Sequence, residues 1–185
     1  MRFTVFVFGL MLAAATPLCA QESRGSISAI GGFSKTWDDE GSLGGGWLVG
    51  GAVDHAIFGN KAGGTRIEFS AEVLGHDRSE GYFLSEGQTV VGAVSLVQRF
   101  GSGGGQPYVA GGLTVGHHAG TNTFDGERFP LSSTDAGFRG AFGVAIRAGR
   151  RMEISPEVRL NGFFVDNDSD PVTLLSFGIR VGWRY

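Results

Sequence analysis

The end of the chain, Val172–Tyr185, alternates between two kinds of side chain. A period of two is typical of a β-strand with one apolar and one polar face. The polar series after Leu175 contains only serine, glycine and arginine, and the apolar series ends in aromatic residues. This pattern favours a strand that meets lipid on one side and a barrel interior on the other. The apolar series is Leu175, Phe177, Ile179, Val181, Trp183 and Tyr185.

The start of the chain has the layout of a secretory signal peptide over residues 1–20. Arg2 precedes an apolar stretch, and small residues come before a polar segment, which predicts cleavage after Ala20. Lipid attachment at Cys19 is disfavoured, because leucine stands where lipoprotein signals want a small residue. The mature chain, 21–185, is predicted to be one domain. It contains no run of about 20 apolar residues, so any membrane crossing must use strands.

Alternating stretches occur eight times in the mature chain. Each is longer than the roughly 9–11 residues that a tilted strand needs to cross a bilayer core. The sequence therefore predicts an all-β fold, an eight-stranded antiparallel up-and-down transmembrane β-barrel that follows a cleaved signal peptide. The stretches are Arg24–Trp37, Gly45–Phe58, Thr65–His76, Gln88–Phe100, Tyr108–Ala119, Ala136–Ala148, Glu153–Val165 and Val172–Tyr185.

The connectors between these stretches alternate in character. One set is polar and acidic, and the other is glycine-rich without acidic residues. Short turns on one side and longer polar loops on the other are typical of outer-membrane barrels. With a periplasmic N-terminus, the acidic set is expected to face outside. The acidic connectors are Asp38–Gly44, Asp77–Gly87, Gly120–Asp135 and Asp166–Pro171, and the glycine-rich ones are Gly59–Gly64, Gly101–Pro107 and Gly149–Arg151.

Three motifs resemble the small OmpA/OmpX-type outer-membrane β-barrel family. They are Gln106-Pro107-Tyr108-Val109-Ala110-Gly111-Gly112, Pro156-Glu157-Val158-Arg159 and the closing Phe177–Tyr185. The resemblance covers essentially the whole mature chain, and it implies a place in the outer membrane of a Gram-negative-type bacterium. These motifs carry fold and no reaction, so no enzyme activity is expected. The family's appended peptidoglycan-binding domain is not expected, because the chain stops at the last strand.

The resemblance extends to the C-terminal signal that the outer-membrane assembly machinery reads. The implied signal residues are Phe177, Ile179, Val181, Trp183 and Tyr185. Besides that machinery, the expected partners are outer-membrane lipid and an unknown extracellular partner that binds the loops. The net charge of −3 does not suggest a nucleic-acid partner. A monomer without cofactors is expected.

Charged residues of both signs recur on the polar faces of the predicted strands. The interior of eight strands is only just wide enough for side chains, so a packed ion-pair network is favoured over a selective pore. Charges taken from water must be paired. The predicted network is Arg66, Glu68, Glu72, Arg139, Arg147, Glu153, Glu157, Arg159, Arg180 and Arg184.

A specific register follows if Val165 pairs with Val172. Antiparallel pairing keeps the sum of the residue numbers constant. Glu157 would then lie opposite Arg180, and Glu153 opposite Arg184. The short turn before Glu153 would likewise set Arg147 opposite it.

Two connectors carry candidate binding residues. The longest, Gly120–Asp135, contains Phe124 and Phe129, whose exposure would suit contact with a partner. The last contains Asp166, Asp168 and Asp170 at every second position, like the opening of a calcium loop. Pro171 and Phe177 replace the glycine and glutamate that such a loop requires, so the sequence predicts at most a weak divalent-cation site.

The sequence predicts a scaffold that presents surface loops, for adhesion or envelope integrity, around a lumen filled with side chains. Three alternatives to this function stay open. One is a narrow channel through the polar interior. Another is a lipid-modifying enzyme that uses His117, with Ser132 and Ser133 nearby in the chain. The third is a secreted lipocalin, which Gly45-Gly46-Trp47 suggests and which would turn its apolar face inward around a ligand.

Overall fold

A computed structural model describes residues 25–38, 41–58, 64–80, 83–124, 127–164 and 172–185. The predicted signal peptide and the candidate cation ligands Asp166, Asp168 and Asp170 lie outside these described residues. No helix in the described part of the chain is long and apolar enough to cross a membrane.

The chain forms eight antiparallel strands that close into one barrel. Each strand pairs with its neighbours in sequence, and β1 also pairs with β8, which closes the sheet. The predicted fold class and strand number are confirmed. The strands are β1 Gly25–Asp38, β2 Gly41–Phe58, β3 Gly64–Glu80, β4 Phe83–Arg99, β5 Gly105–Phe124, β6 Glu127–Arg147, β7 Met152–Phe164 and β8 Val172–Arg184.

The alternation along each strand separates an apolar outer wall from a polar interior. On β8, Ile179 is 56% exposed while its neighbour Arg180 is 5% exposed. Isoleucine, valine and phenylalanine side chains form the outer wall on every strand, which a water-facing surface does not tolerate over such an area. This arrangement is the reverse of a lipocalin, so the lipocalin alternative is wrong.

The β4–β5 and β6–β7 connectors are tight turns at the end of the barrel that holds both described termini. Most of the third glycine-rich connector, Gly59–Gly64, lies outside the described residues. The β6–β7 turn uses Gly149 with φ of 98°, and the β4–β5 turn uses Gly101 with φ of 82°. Both values lie in the left-handed region, which glycine adopts without the steric cost of a Cβ. These turns fix the neighbouring strands side by side at this rim.

The acidic connectors differ from the prediction, because the described residues of three of them lie in strands. In the first, Asp38 ends β1 and Gly41–Gly44 begin β2. Residues of Asp77–Gly87 pair across the β3–β4 ladder, up to the pair Glu80↔Phe83. Residues of Gly120–Asp135 pair across β5 and β6, up to Phe124↔Glu127. The strands therefore continue beyond the apolar wall. Hydrophobic alternation did not reveal this, because polar residues occupy both faces there.

Candidate functional site

The lumen is filled by a network of buried ion pairs. The layer nearest the turns contains Asp54, Arg66, Arg99 and Glu153. Arg99 donates two parallel hydrogen bonds to Glu153, at 2.7 and 2.9 Å. Arg66 Nε lies 2.5 Å from Asp54 Oδ1, and Ser26 also donates to Asp54. Two-point pairing of a guanidinium with a carboxylate is a strong and directional interaction.

The next layer is centred on Arg180. Its guanidinium contacts Glu68 on one side and lies 3.2 Å from Glu157 Oε2 on the other. Tyr108 donates its hydroxyl to the same Glu157 oxygen at 2.7 Å. The β8 arginine therefore links β3 and β7 across the barrel.

A third layer is centred on Glu72. Arg139 Nη1 lies 2.7 Å from Glu72 Oε1, and Arg159 contacts the same oxygen. Arg159 also contacts Glu157, which connects this layer to the one below. Asn161 accepts a hydrogen bond from Arg139 Nε at 2.8 Å.

These layers, called the lumen network below, contain equal numbers of opposite charges. Five arginines face five carboxylates, so their formal charges cancel. Uncompensated charge would be costly at this depth, and pairing removes most of that cost. The members are Asp54, Glu68, Glu72, Glu153, Glu157, Arg66, Arg99, Arg139, Arg159 and Arg180.

The register prediction for β7 and β8 is wrong by two residues. Glu157 lies opposite Gly178, and Glu153 lies opposite Gly182. A shift of two preserves which face each side chain occupies, so Arg180 still reaches Glu157 diagonally. Glu153 instead pairs with Arg99. The predicted register Arg147↔Glu153 is confirmed.

Two predicted network members lie at the rim. Arg147 is exposed, and Arg184 donates to the main-chain oxygen of Arg150 at 2.7 Å. Sequence reasoning left out Asp54, Arg99 and Tyr108, although all three lie on the inward face of their strands. Counting inward positions from the nearest tight turn would have found them.

A cluster of apolar side chains, called the apolar layer below, packs beside the lumen network. Ile30 lies opposite Arg180, and Val91 lies opposite Glu72. The side chains of this layer are almost fully buried, and Leu74 and Phe163 have no exposed surface. Val91 and Val97, whose inward position breaks the alternation on β4, also pack inside the barrel. Apolar side chains across a narrow lumen oppose passage of hydrated ions. The layer is Ile30, Leu48, Ala52, Leu74, Val91, Phe163 and Leu174.

His118 packs against this apolar layer at the outer end. The ring of His118 packs edge-on against Phe163 with centroids 5.1 Å apart. Its Nδ1 lies 2.9 Å from Thr89 Oγ1, and its Nε2 lies 3.7 Å from Asp135. His118 lies beyond the apolar wall, and burial lowers the pKa of its imidazole, with Asp135 acting in the opposite direction. Thr89 is 1% exposed, so its hydroxyl is inaccessible as a nucleophile.

His117 points to the outer surface instead. Its Nδ1 lies 2.8 Å from the Thr134 hydroxyl. Ser133, a candidate partner from the sequence, donates to Asp135 on the opposite face of the sheet. In the described part of the chain, no carboxylate completes a histidine-based relay at His117.

The extended parts of β3 to β6 form one continuous sheet beyond the apolar wall. This outer sheet consists of residues 77–80, 83–88, 117–124 and 127–135. Among described residues, Glu127–Asp135 pairs only with β5, since the β6–β7 ladder begins at Ala136↔Phe164. The predicted contact residue Phe129 lies on this edge and is 49% exposed. Phe124 lies at the tip, where its backbone pairs with Phe83 and Glu127.

No protein-family model and no curated protein matches this sequence. Solved structures do match the fold. Neisserial surface protein A from Neisseria has a TM-score of 0.67 at 15% identity, over 88% of this chain and 98% of that one. Ail of Yersinia pestis, bound to a heparin analogue, has a TM-score of 0.59 at 14% identity, over 89% and 100%. The outer-membrane enzyme PagL has a TM-score of 0.50 at 13% identity, over 87% and 99%.

Proposed function

We propose that this chain, an eight-stranded outer-membrane β-barrel of the OmpA/OmpX type by fold, is a scaffold that presents its outer sheet to an extracellular partner. The supporting observation is the outer edge of β6, which pairs only with β5 over Glu127–Asp135 among the described residues. At alternate positions over Glu127–Asp135, the main-chain N–H and C=O groups point away from β5. No described strand lies on that side of β6 to pair with them. Such an edge is a template for an added strand.

The expected partner is a polypeptide segment in extended conformation. Main-chain hydrogen bonds to the β6 edge supply affinity, and side-chain contacts supply selectivity. Phe129 is the exposed aromatic residue on this edge, and aromatic side chains are frequent binding hot spots. Pro130 lacks an N–H and limits indiscriminate pairing along the edge.

The alternatives of a channel and an enzyme have less support. The lumen network and the apolar layer fill the interior, which opposes conduction. The enzyme alternative has the pair His117–Thr134 at the outer surface, and PagL is an enzyme of similar fold. A histidine and a hydroxyl alone lack the group that orients and charges the base in such sites.

Adjacent residues on the edge allow a sharp test. Ser132 and Ser133 point their N–H groups to opposite sides of β6, so one proline substitution alters the outer edge and the other alters the β5 ladder. Heat-modifiable gel mobility reports whether the barrel is folded. The proline variant that keeps this mobility is the one whose altered N–H lies on the outer edge. Alanine at the same position serves as its matched control.

The probe is a displayed library of random peptides, selected on the folded wild-type barrel. Peptides selected this way should lose binding to the edge proline variant and keep it with the alanine control. Replacement of Phe129 by alanine should weaken binding of the same peptides. Equal binding to the wild type and the proline variant would contradict the proposal.

A further inference from the structure

A furrow crosses the lipid-facing wall over β6, β7, β8 and β1. Its volume is about 730 Å³, within the range of roughly 300–1,000 Å³ typical of small-molecule sites. The floor is low because the outward-facing positions Gly31 and Pro156 carry little side chain. Phe33, Phe142 and Phe177 form walls that project outward, and Phe33 is 76% exposed.

The register explains this relief. Phe33, Phe177, Val158 and Phe142 lie opposite one another in a single row across the four strands. The next row toward the turns contains Gly31, Ile179 and Pro156. Proline has no N–H to donate, and the β6–β7 pairing is interrupted between Gly143↔Glu157 and Ile146↔Ile154. A side chain placed at Gly31 would meet nothing within 4 Å.

A basic cluster lies below the furrow at the rim that carries the tight turns. It consists of Arg147, Arg150, Arg151 and Arg184, and the first three are exposed. Arg184 is held there by its hydrogen bond to the Arg150 main-chain oxygen. No described carboxylate forms an ion pair with any of the four. The guanidinium groups are therefore available to an anion.

The spacing between furrow and cluster matches one lipid molecule. Arg151 and Pro156 are five positions apart, which is about 16 Å of extended chain. That length is close to half of a hydrocarbon core, which is roughly 30 Å thick. An acyl chain that extends from a headgroup at this rim therefore reaches the furrow.

We propose that the furrow and the basic cluster together bind one anionic glycerophospholipid. Its phosphate contacts the arginines, whose planar guanidinium groups suit phosphate oxygens. Its acyl chain lies in the furrow. The fit of the chain to the furrow determines its affinity there, because the bilayer around the barrel is as apolar as the furrow itself. The inference rests on the outer-membrane placement in the proposed function, with the turn rim facing the phospholipid leaflet on the periplasmic side.

Charge favours a lipid over a second copy of the chain at this wall. In a two-fold dimer across the furrow, the basic clusters of both copies would approach each other. Like charges facing across an interface oppose association. A flexible acyl chain can also contact the furrow floor between the projecting phenylalanine rings. The rigid outer wall of a second barrel cannot reach that floor.

The test uses the full mature barrel folded into vesicles of phosphatidylglycerol and phosphatidylcholine in equal amounts. Barrels are extracted in mild detergent, and the retained lipids are identified by native mass spectrometry. Two variants separate the parts of the site: Gly31→Phe fills the furrow, and Arg150→Gln with Arg151→Gln removes charge. Gly111→Phe is the matched control, since Gly111 faces outward on β5 with open space around it. Heat-modifiable gel mobility verifies the fold of each variant.

The wild type and Gly111→Phe should each retain one phosphatidylglycerol. Gly31→Phe should lose the retained lipid. The double arginine variant should lose its preference for phosphatidylglycerol by about tenfold, since each arginine near the surface adds to the attraction of anionic lipid. Equal retention by Gly31→Phe, an unchanged preference in the double variant, or wild-type dimers that Gly31→Phe abolishes would each overturn the proposal. None of these outcomes affects peptide binding at the β6 edge.

Discussion

Arg180 binds Glu157 although the two residues are not opposite each other in the β7–β8 ladder. Arg180 lies opposite Ser155, and its guanidinium reaches the carboxylate 3.2 Å away. It also contacts Glu68 on β3. In a lumen this narrow, a long side chain selects its partners from several strands. The effect of a substitution at Arg180 on stability therefore cannot be predicted from its partner on the β7–β8 hairpin alone.

A charge exchange should show this sharing. Glu157→Arg alone places a third positive charge beside Arg159 and Arg180, and leaving a buried charge uncompensated costs about 3–5 kcal/mol. Adding Arg180→Glu should recover only part of that loss, because the new carboxylate faces Glu68. Urea titration of the detergent-folded single and double variants measures both steps. Full recovery would show that Glu68 does not depend on Arg180.

Loss of the Glu72 charge should be costly by itself. Glu72 is 1% exposed and contacts both Arg139 and Arg159. Replacement by glutamine should lower the free energy of unfolding by about 3–5 kcal/mol, since two buried guanidinium groups lose their shared carboxylate. Glu127→Gln is the control at an exposed site, where a change within roughly 0.5 kcal/mol is expected. Equal urea midpoints for the two variants would contradict the buried network.

The outward alternation and the strand number could be predicted from the sequence, because each crossing strand repeats the same pattern. The ion-pair partners of the charged side chains in the lumen could not be predicted in this way. A register shift of two leaves every face unchanged, so alternation cannot detect that Glu153 pairs with Arg99 rather than Arg184. The outer sheet was also missed, because its strands carry polar residues on both faces and resemble loops. Phe129 was found as a candidate contact, but its place on the outer edge of β6 required the structure.

Removing the terminal aromatic residues should block assembly. Trp183 faces outward, is 52% exposed and pairs with Ile27 across the closing seam. Deletion of Trp183-Arg184-Tyr185 is expected to leave a protease-sensitive precursor in the periplasm. Tyr185→Phe keeps the terminal ring and should assemble normally, as seen by heat-modifiable mobility. Normal mobility of the deletion variant would refute an assembly role for these residues.

The barrel should not conduct ions. The side chains of the lumen network and of the apolar layer pack against one another inside the barrel. Planar-bilayer recordings of the purified protein should show no conductance steps. A sixteen-stranded porin, whose wide lumen holds an aqueous channel, is the positive control and should show them. Reproducible steps from the wild type, lost after a lumen substitution, would support the channel alternative.

The outer end should loosen in acid. Burial lowers the pKa of both His76 and His118, so the folded state binds fewer protons than the unfolded state near the ordinary histidine pKa of about 6.5. Their contribution to stability is therefore present above that pH and decreases as the pH falls through the lowered values. Asp77 and Asp135 oppose the effect in part. Protection factors for amide hydrogen exchange in β4 and β5, each referred to the intrinsic rate at that pH, should decrease below pH 6.5. The decrease should be smaller in a His76→Gln, His118→Gln variant.

The outer sheet belongs to four consecutive strands, so the molecule has a front and a back within the plane of the membrane. In the described part of the chain, the outer sheet is bounded on one side by the β6 edge. A strand that pairs with this edge must therefore lie on its β7 side, opposite β5. The orientation of the barrel about its axis determines whether the β6 edge faces an extracellular ligand that supplies such a strand. Neighbouring proteins that restrict rotation about this axis would regulate binding without touching the edge.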